Sequence, residues 1–114
     1  MAAKVITVCG SLKFQDEMMR QSDLLERAGN CVLSVVYPSQ ALDLYTPEDN
    51  ERFAALHFQK IRMSDGIFVV NVGGYVGEST RKEMAYARKL GKEILSLEPI
   101  LGDQDEREHD DECV

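Results

Sequence analysis

A carboxylate stands just beyond a glycine-rich loop in the stretch Gly73-Gly74-Tyr75-Val76-Gly77-Glu78-Ser79-Thr80-Arg81-Lys82-Glu83. The loop follows an apolar run from Gly66 to Val72 and precedes a helix-forming run from Thr80 to Leu90. In open α/β sheets, ligands sit at such strand-to-helix corners. Unpaired N–H groups at a helix start favour anions such as phosphate. A carboxylate beside a sugar or phosphate cradle is a candidate nucleophile, and Glu83 has that position. The same residues allow a second reading. Thr80-Arg81-Lys82-Glu83 matches the T-x-x-E capping box, in which Glu83 turns back to the Thr80 N–H and does not point into a crevice. The stripe Glu83, Ala87 and Leu90 puts Glu83 on the inward face of its helix.

Other residues fall around this candidate. Gly73, Gly74 and Gly77 permit positive φ or close approach of backbone to a ligand, or they serve a plain turn. Ser79 and Thr80 can donate to a phosphate or cap the helix. Gly10-Ser11, after the first apolar run, is a similar pair, and Lys13 can neutralise a phosphate there. His57 sits mid-helix, either as a partly exposed surface residue or as a general acid or base. Asp65 ends the same helix as a cap or turn residue. The three cysteines, Cys9, Cys31 and Cys113, have no metal-ligand spacing; Cys9 and Cys31 read as small core residues of buried strands.

The elements that must position these residues alternate. Strands are expected at Lys4–Cys9, Cys31–Val36, Gly66–Val72 and Glu93–Leu97, with helices at Phe14–Ala28, Pro47–Met63 and Thr80–Leu90. The near-continuous apolar character of the third strand marks it as central and buried on both faces. A β-α-β-α-β-α-β order predicts an α/β, flavodoxin-like (Rossmann-like) three-layer sandwich, with a parallel sheet of order 2-1-3-4 and helices on both faces. In that order the switch point lies between strands one and three. The loops after them, Gly10–Lys13 and Gly73–Glu78, then meet at one crevice.

The 114 residues make one domain, residues 1–102, followed by an acidic run at 103–114. Net charge is −7, of which the last 12 residues carry −6, so the remainder is close to neutral. That balance excludes a basic nucleic-acid footprint. No apolar stretch reaches membrane-spanning length and no signal peptide is apparent, so a reduced cytoplasmic protein with no membrane partner is expected.

Thr80-Arg81-Lys82-Glu83-Met84-Ala85-Tyr86-Ala87, followed by Gly91-Lys92, resembles the nucleophile helix of nucleoside 2-deoxyribosyltransferases. Their pattern is Gly-Thr-x-x-Glu, then Ile or Leu, then Gly-Tyr-Ala, with Gly-Lys-Pro-Ile following. The strand Ser64–Val70 is similar to their Ala-Asp-Val-Val-Val-Ala strand. Val8-Cys9-Gly10-Ser11 looks like the first loop of the relatives that hydrolyse 2′-deoxynucleoside 5′-monophosphates. The resemblance spans residues 4–98. It implies that Glu83 attacks the anomeric carbon in a double displacement, that the departing base takes a proton, and that water or a second base resolves the glycosyl-enzyme. It implies no metal or organic cofactor, and a homo-oligomer in which exposed Tyr45, Phe53 or Met63 belongs to a contact. Gly10, Ser11, Gly73, Gly74, Gly77, Ser79 and Thr80 would line the sugar and phosphate site, with Asp65 supporting it from behind. Two family carboxylates are replaced, one by Gly77 and one by His57, so His57 takes the place of the acid. The first loop and the glycine loop favour a nucleotide over a free nucleoside. Two alternatives stay open. The Gly-Gly-x-Gly-Thr-x-x-Glu shape is similar to the signature of lysine-decarboxylase-like phosphoribohydrolases. The missing Asp at Gly77 suits a non-catalytic nucleotide sensor.

Overall fold

A computed structural model describes residues 2–100 of the chain; the acidic run at 103–114 and Gly102 lie outside the described residues. Four strands, β1 (Val5–Gly10), β2 (Cys31–Leu33), β3 (Gly66–Val70) and β4 (Glu93–Ser96), form one parallel sheet of order β2-β1-β3-β4. Three helices, α1 (Gln15–Arg27), α2 (Pro47–Met63) and α3 (Glu78–Lys89), connect them. This is the flavodoxin-like α/β sandwich that the alternating pattern predicts.

The chain enters the sheet at β1, moves to one edge through α1 and returns past β1 through α2. With right-handed crossovers, that reversal sends α1 to one face and α2 and α3 to the other. The core divides accordingly. Val8, Met18 and Val70 pack on the α1 side, and Cys9, Ile61, Ile67, Val69, Met84 and Ala87 pack on the α2–α3 side. The alternation of strand side chains produces this split: Val8 and Cys9 are neighbours in sequence and lie in opposite layers.

Local sequence explains the boundaries. Helix α2 begins with Thr46, whose hydroxyl accepts from the Asp49 N–H while the Asp49 carboxylate accepts from the Thr46 N–H; Pro47 fills the first helical position. Strand β2 is shorter than expected. Its ladder with β1 ends at the Thr7–Leu33 pair, and the next carbonyl, Ser34, accepts from Lys60 Nζ at 2.6 Å. An edge strand has one partner, so a side chain that takes its carbonyl ends the pairing. Cys31, at the start of this edge strand, is exposed and not buried as expected. Leu90 is 40% exposed and does not continue the inward stripe of Glu83 and Ala87, because α3 has already ended at Lys89.

Beyond β3, buried Asn71 ties two segments together. Its Nδ2 donates to the Glu98 carbonyl at 3.0 Å and its Oδ1 accepts from the Glu98 N–H at 2.8 Å. Asn71→Ala strands the Glu98 N–H and leaves the Glu98 carbonyl only the Ser96 hydroxyl, so it should lower unfolding free energy by about 2 kcal/mol in urea titrations. A loss within about 0.5 kcal/mol, the size of a plain surface change, would show that the paired bonds are dispensable.

Candidate functional site

Helix α3 starts earlier than the T-x-x-E pattern suggests. Gly77 is its N-cap, with no side-chain cap bond, and Glu78 is the first helical residue. Thr80 is therefore the third helical position and Glu83 stands in the second turn, which rules out the Thr80–Glu83 capping box. The cause is Gly77, whose extended backbone (ψ 175°) already turns the chain into the helix. Freed from capping, Glu83 points inward, with its side chain only 15% exposed.

Three elements bring one side chain each to this point. Cys9 comes from β1, His57 from α2 and Glu83 from α3. The His57 Nε2 lies 3.7 Å from Glu83 Oε1 and 3.4 Å from Cys9 Sγ. His57 is buried, unlike the partly exposed helix residue expected. It points inward because it precedes the core residue Ile61 by four positions and so shares its face of α2. Below the triad, the Thr7 and Ser64 hydroxyls pair, and the one that does not donate to the other donates to the Lys60 carbonyl, which locks α2 against β1.

His57 and Glu83 line a cleft of about 400 Å³. Leu12 from the loop after β1, Val35 and Val36 from beyond β2, Phe53 and Phe58 from α2, and Ser79 and Lys82 from α3 form its other walls. The early end of β2 releases Val35 and Val36 to this wall. Among the described residues, Gly10 is held for packing: a Cβ there would meet Met18 Sδ at 3.1 Å and the Val70 carbonyl at 3.2 Å. Ser11 accepts from the Lys13 N–H and caps the short turn Leu12–Phe14.

The two glycine-bearing loops do converge. Phe14 and Tyr75 meet edge to face with centroids 5.9 Å apart, and Lys13 Nζ sits 3.5 Å from the Tyr75 ring centre. Gly73 and Gly74 carry positive φ (65° and 86°), which makes the tight turn before Tyr75. None of Gly73, Gly74 and Gly77 lines the cleft; their turn delivers the uncapped start of α3 to its rim through Ser79. Thr80 is buried beneath that rim. Asp65 stands apart from the site. Its carboxylate accepts from the Val5 N–H at 2.8 Å at the opposite end of the sheet, a full strand length away, so it fastens β1 to β3 and does not support the cleft.

Burial sets the electrostatics. It raises the Glu83 carboxyl to about 7 from 4.5, against a smaller opposing effect of the Cys9 thiol. It lowers His57 to about 4 from 6.5, aided by the nearby Lys60 charge. It also raises the Cys9 thiol well above its usual value, with the Glu83 charge adding to this. At neutral pH the His57–Glu83 contact therefore joins a neutral imidazole to a carboxyl that is about half ionised. The lowered value makes the imidazolium, the proton donor expected when His57 replaces a family Asp, a minor form at that pH; the neutral imidazole, with a free lone pair, accepts protons. Cys9 was read from the sequence only as core. Its place beside two ionisable groups follows from the strand register, which no local spacing reveals.

No protein-family model, curated protein or solved structure matches the chain. Among the described residues no helix is long and apolar enough to cross a membrane.

The two shifts act on stability in opposite senses. Between pH 4.5 and 7 the folded chain keeps a Glu83 proton that the unfolded chain has lost, so this group's contribution falls as pH rises and is gone above 7. Between pH 4 and 6.5 the unfolded chain binds a His57 proton that the folded chain refuses, so that contribution rises with pH. The two slopes nearly cancel where they overlap. Glu83→Gln removes one of them. Its melting temperature, compared with that of the parent chain, should climb from pH 4.5 to 7 and then hold level. A difference that stays constant across this window would show that Glu83 titrates as an ordinary carboxylate.

Proposed function

We propose that the chain cleaves or transfers the N-glycosidic bond of a (deoxy)nucleoside or its 5′-monophosphate, with Glu83 as nucleophile. One observation carries this reading: the Glu83 carboxyl is uncapped, mostly buried and set in the wall of a cleft, with neutral His57 beside it. The likeness of the Glu83 helix to that of the nucleoside 2-deoxyribosyltransferases points to the same chemistry. A volume of about 400 Å³ suits a ligand of nucleoside size. Phe53 and Phe58 offer apolar ring surface to a base. Ser79 and the uncapped first turn of α3 suit a phosphate at the rim.

The steps follow from these placements. Glu83 attacks the anomeric carbon in its ionised form. The bond to the base breaks, the electron pair stays on the base nitrogen, and solvent supplies the proton that the leaving base takes up. An oxocarbenium-like transition state carries positive charge, which a poorly hydrated carboxylate stabilises strongly. Water, or a second base, then attacks the glycosyl ester. His57 accepts the proton of the attacking water and Glu83 leaves as carboxylate. A neutral imidazole fits this second step as a general base.

The test is chromatography of free base released from a panel of nucleosides and 5′-monophosphates, ribo and deoxy, with and without an acceptor base. Release from a monophosphate without acceptor assigns a hydrolase; release only with acceptor assigns a transferase. Glu83→Ala should lower release by about 10³-fold or more while the fold persists. Since the ionised carboxyl is the nucleophile, kcat/KM should rise with pH through about 7 and level above it. Undiminished turnover in Glu83→Ala, or no release from any member of the panel, would remove the glycosidase reading.

A further inference from the structure

We propose that Cys9, His57 and Glu83 form a binding site for a borderline-soft divalent cation, Zn²⁺ being the type, and that occupancy blocks the cleft by taking the Glu83 lone pair. The binding part stands on geometry alone; the blocking part rests on the reading of Glu83 as nucleophile.

The donor atoms of the three side chains lie within 4.8 Å of one another. Tetrahedral Zn²⁺, with Zn–N about 2.0 Å and Zn–S about 2.3 Å, separates its donors by about 3.3–3.6 Å. The Nε2–Sγ distance of 3.4 Å falls inside that range and the Nε2–Oε1 distance of 3.7 Å just above it. The donors come from β1, α2 and α3, three elements packed on one face of the sheet, so the site is assembled by the fold and needs no loop to close. Sulfur, imidazole nitrogen and carboxylate oxygen together suit Zn²⁺ better than Mg²⁺ or Ca²⁺, which take oxygen ligands. His57 and Glu83 also line the cleft, which gives an entry path and leaves the fourth position open to water or ligand. Three protein ligands and one open position is the pattern of non-structural zinc sites.

Binding is balanced simply. The Cys9 thiol loses one proton to solvent, a Zn–S bond forms, and Glu83 binds through its carboxylate. His57 Nδ1 has no hydrogen-bond partner among the described residues, so no bond at this second nitrogen steadies the ring. Zinc-bound histidines are usually steadied by a bond at the second nitrogen, and losing one costs about 10–100-fold in affinity. The site is therefore expected to load and unload and not to hold its metal permanently.

The experiment uses the full chain carrying Cys31→Ser and Cys113→Ser, so that Cys9 is its sole thiol. Co²⁺ is titrated in, the thiolate-to-cobalt charge-transfer absorption is followed, and Zn²⁺ is then added in competition. One Co²⁺ per chain with that absorption, displaced by one Zn²⁺, is expected. Cys9→Ala should abolish the absorption and weaken Zn²⁺ binding more than 10-fold. Glu83→Gln, which leaves the sheet untouched, should weaken binding similarly if Cys9→Ala fails to fold. No charge-transfer absorption, or equal Zn²⁺ affinity in folded variants, overturns the site. For blocking, stoichiometric Zn²⁺ should suppress base release and a chelator should restore it; full turnover at full occupancy overturns that part. A metal-free chain that releases no base yet shows the cobalt absorption supports the metal site and removes the glycosidase reading instead.

Discussion

A carboxyl group held out of water is the constraint on which the site depends. Glu83 faces a neutral imidazole and a protonated thiol, and neither offers it a charge. Its ionised form is thus costly in the folded chain, and the rest of the domain must hold it there. The apolar layer below does so. Met84 and Ala87, on the same helix, are buried with Ile61 of α2 and Ile67 and Val69 of β3, so the helix that carries Glu83 is anchored to the sheet. A residue that needs its neighbours to remain in place is an unfavourable one for packing alone. The cost is borne at a position beside a cleft, where an under-solvated carboxylate has a use.

The two ends of the sheet have different tasks. At the N-terminal edge the strands are fastened. The Asp65 carboxylate takes the Val5 N–H, its main chain pairs with Val5 and Glu93, and Lys4 reaches Glu93 at 3.0 Å. At the C-terminal edge the loops part, and bonds there bind loop to loop around an opening: Phe14 to Tyr75, Lys13 to Tyr75 and Asn71 to Glu98. Parallel strands place every crossover helix start at that second edge, so the switch point between β1 and β3 is where a cleft costs the least backbone pairing.

The order of elements was legible because β-branched runs and helical stripes alternate, and the order 2-1-3-4 followed from topology. Helix α2 was legible to the residue, since Pro47 at its first position is a local signal. Helix α3 was not, because two N-terminal signals overlap there. Thr80 and Glu83 carry a capping pattern, yet Gly77 had already turned the chain, and the earlier start prevails. The end of β2 was hidden for another reason. Lys60 ends it by taking the Ser34 carbonyl, and 26 residues of sequence separate the two. Glu83 and His57 could be singled out as candidates, but their contact could not. Cys9 gave no signal at all beyond its apolar strand.

That last gap has a physical basis. In β1, Cys9 is one alternating position after Thr7 on the α2–α3 side, and the register with β3 decides its depth. Moving the strand by one residue would present Val8 to α2, and Cys9 would face α1. The triad therefore depends on the β1–β3 register, which runs from the Ile6–Gly66 pair to the Gly10–Val70 pair, where the absence of a Cβ lets Met18 and the Val70 carbonyl approach. Strand pairing remote from the cleft thus acts on it without touching it, by setting a thiol, an imidazole and a carboxyl at one point.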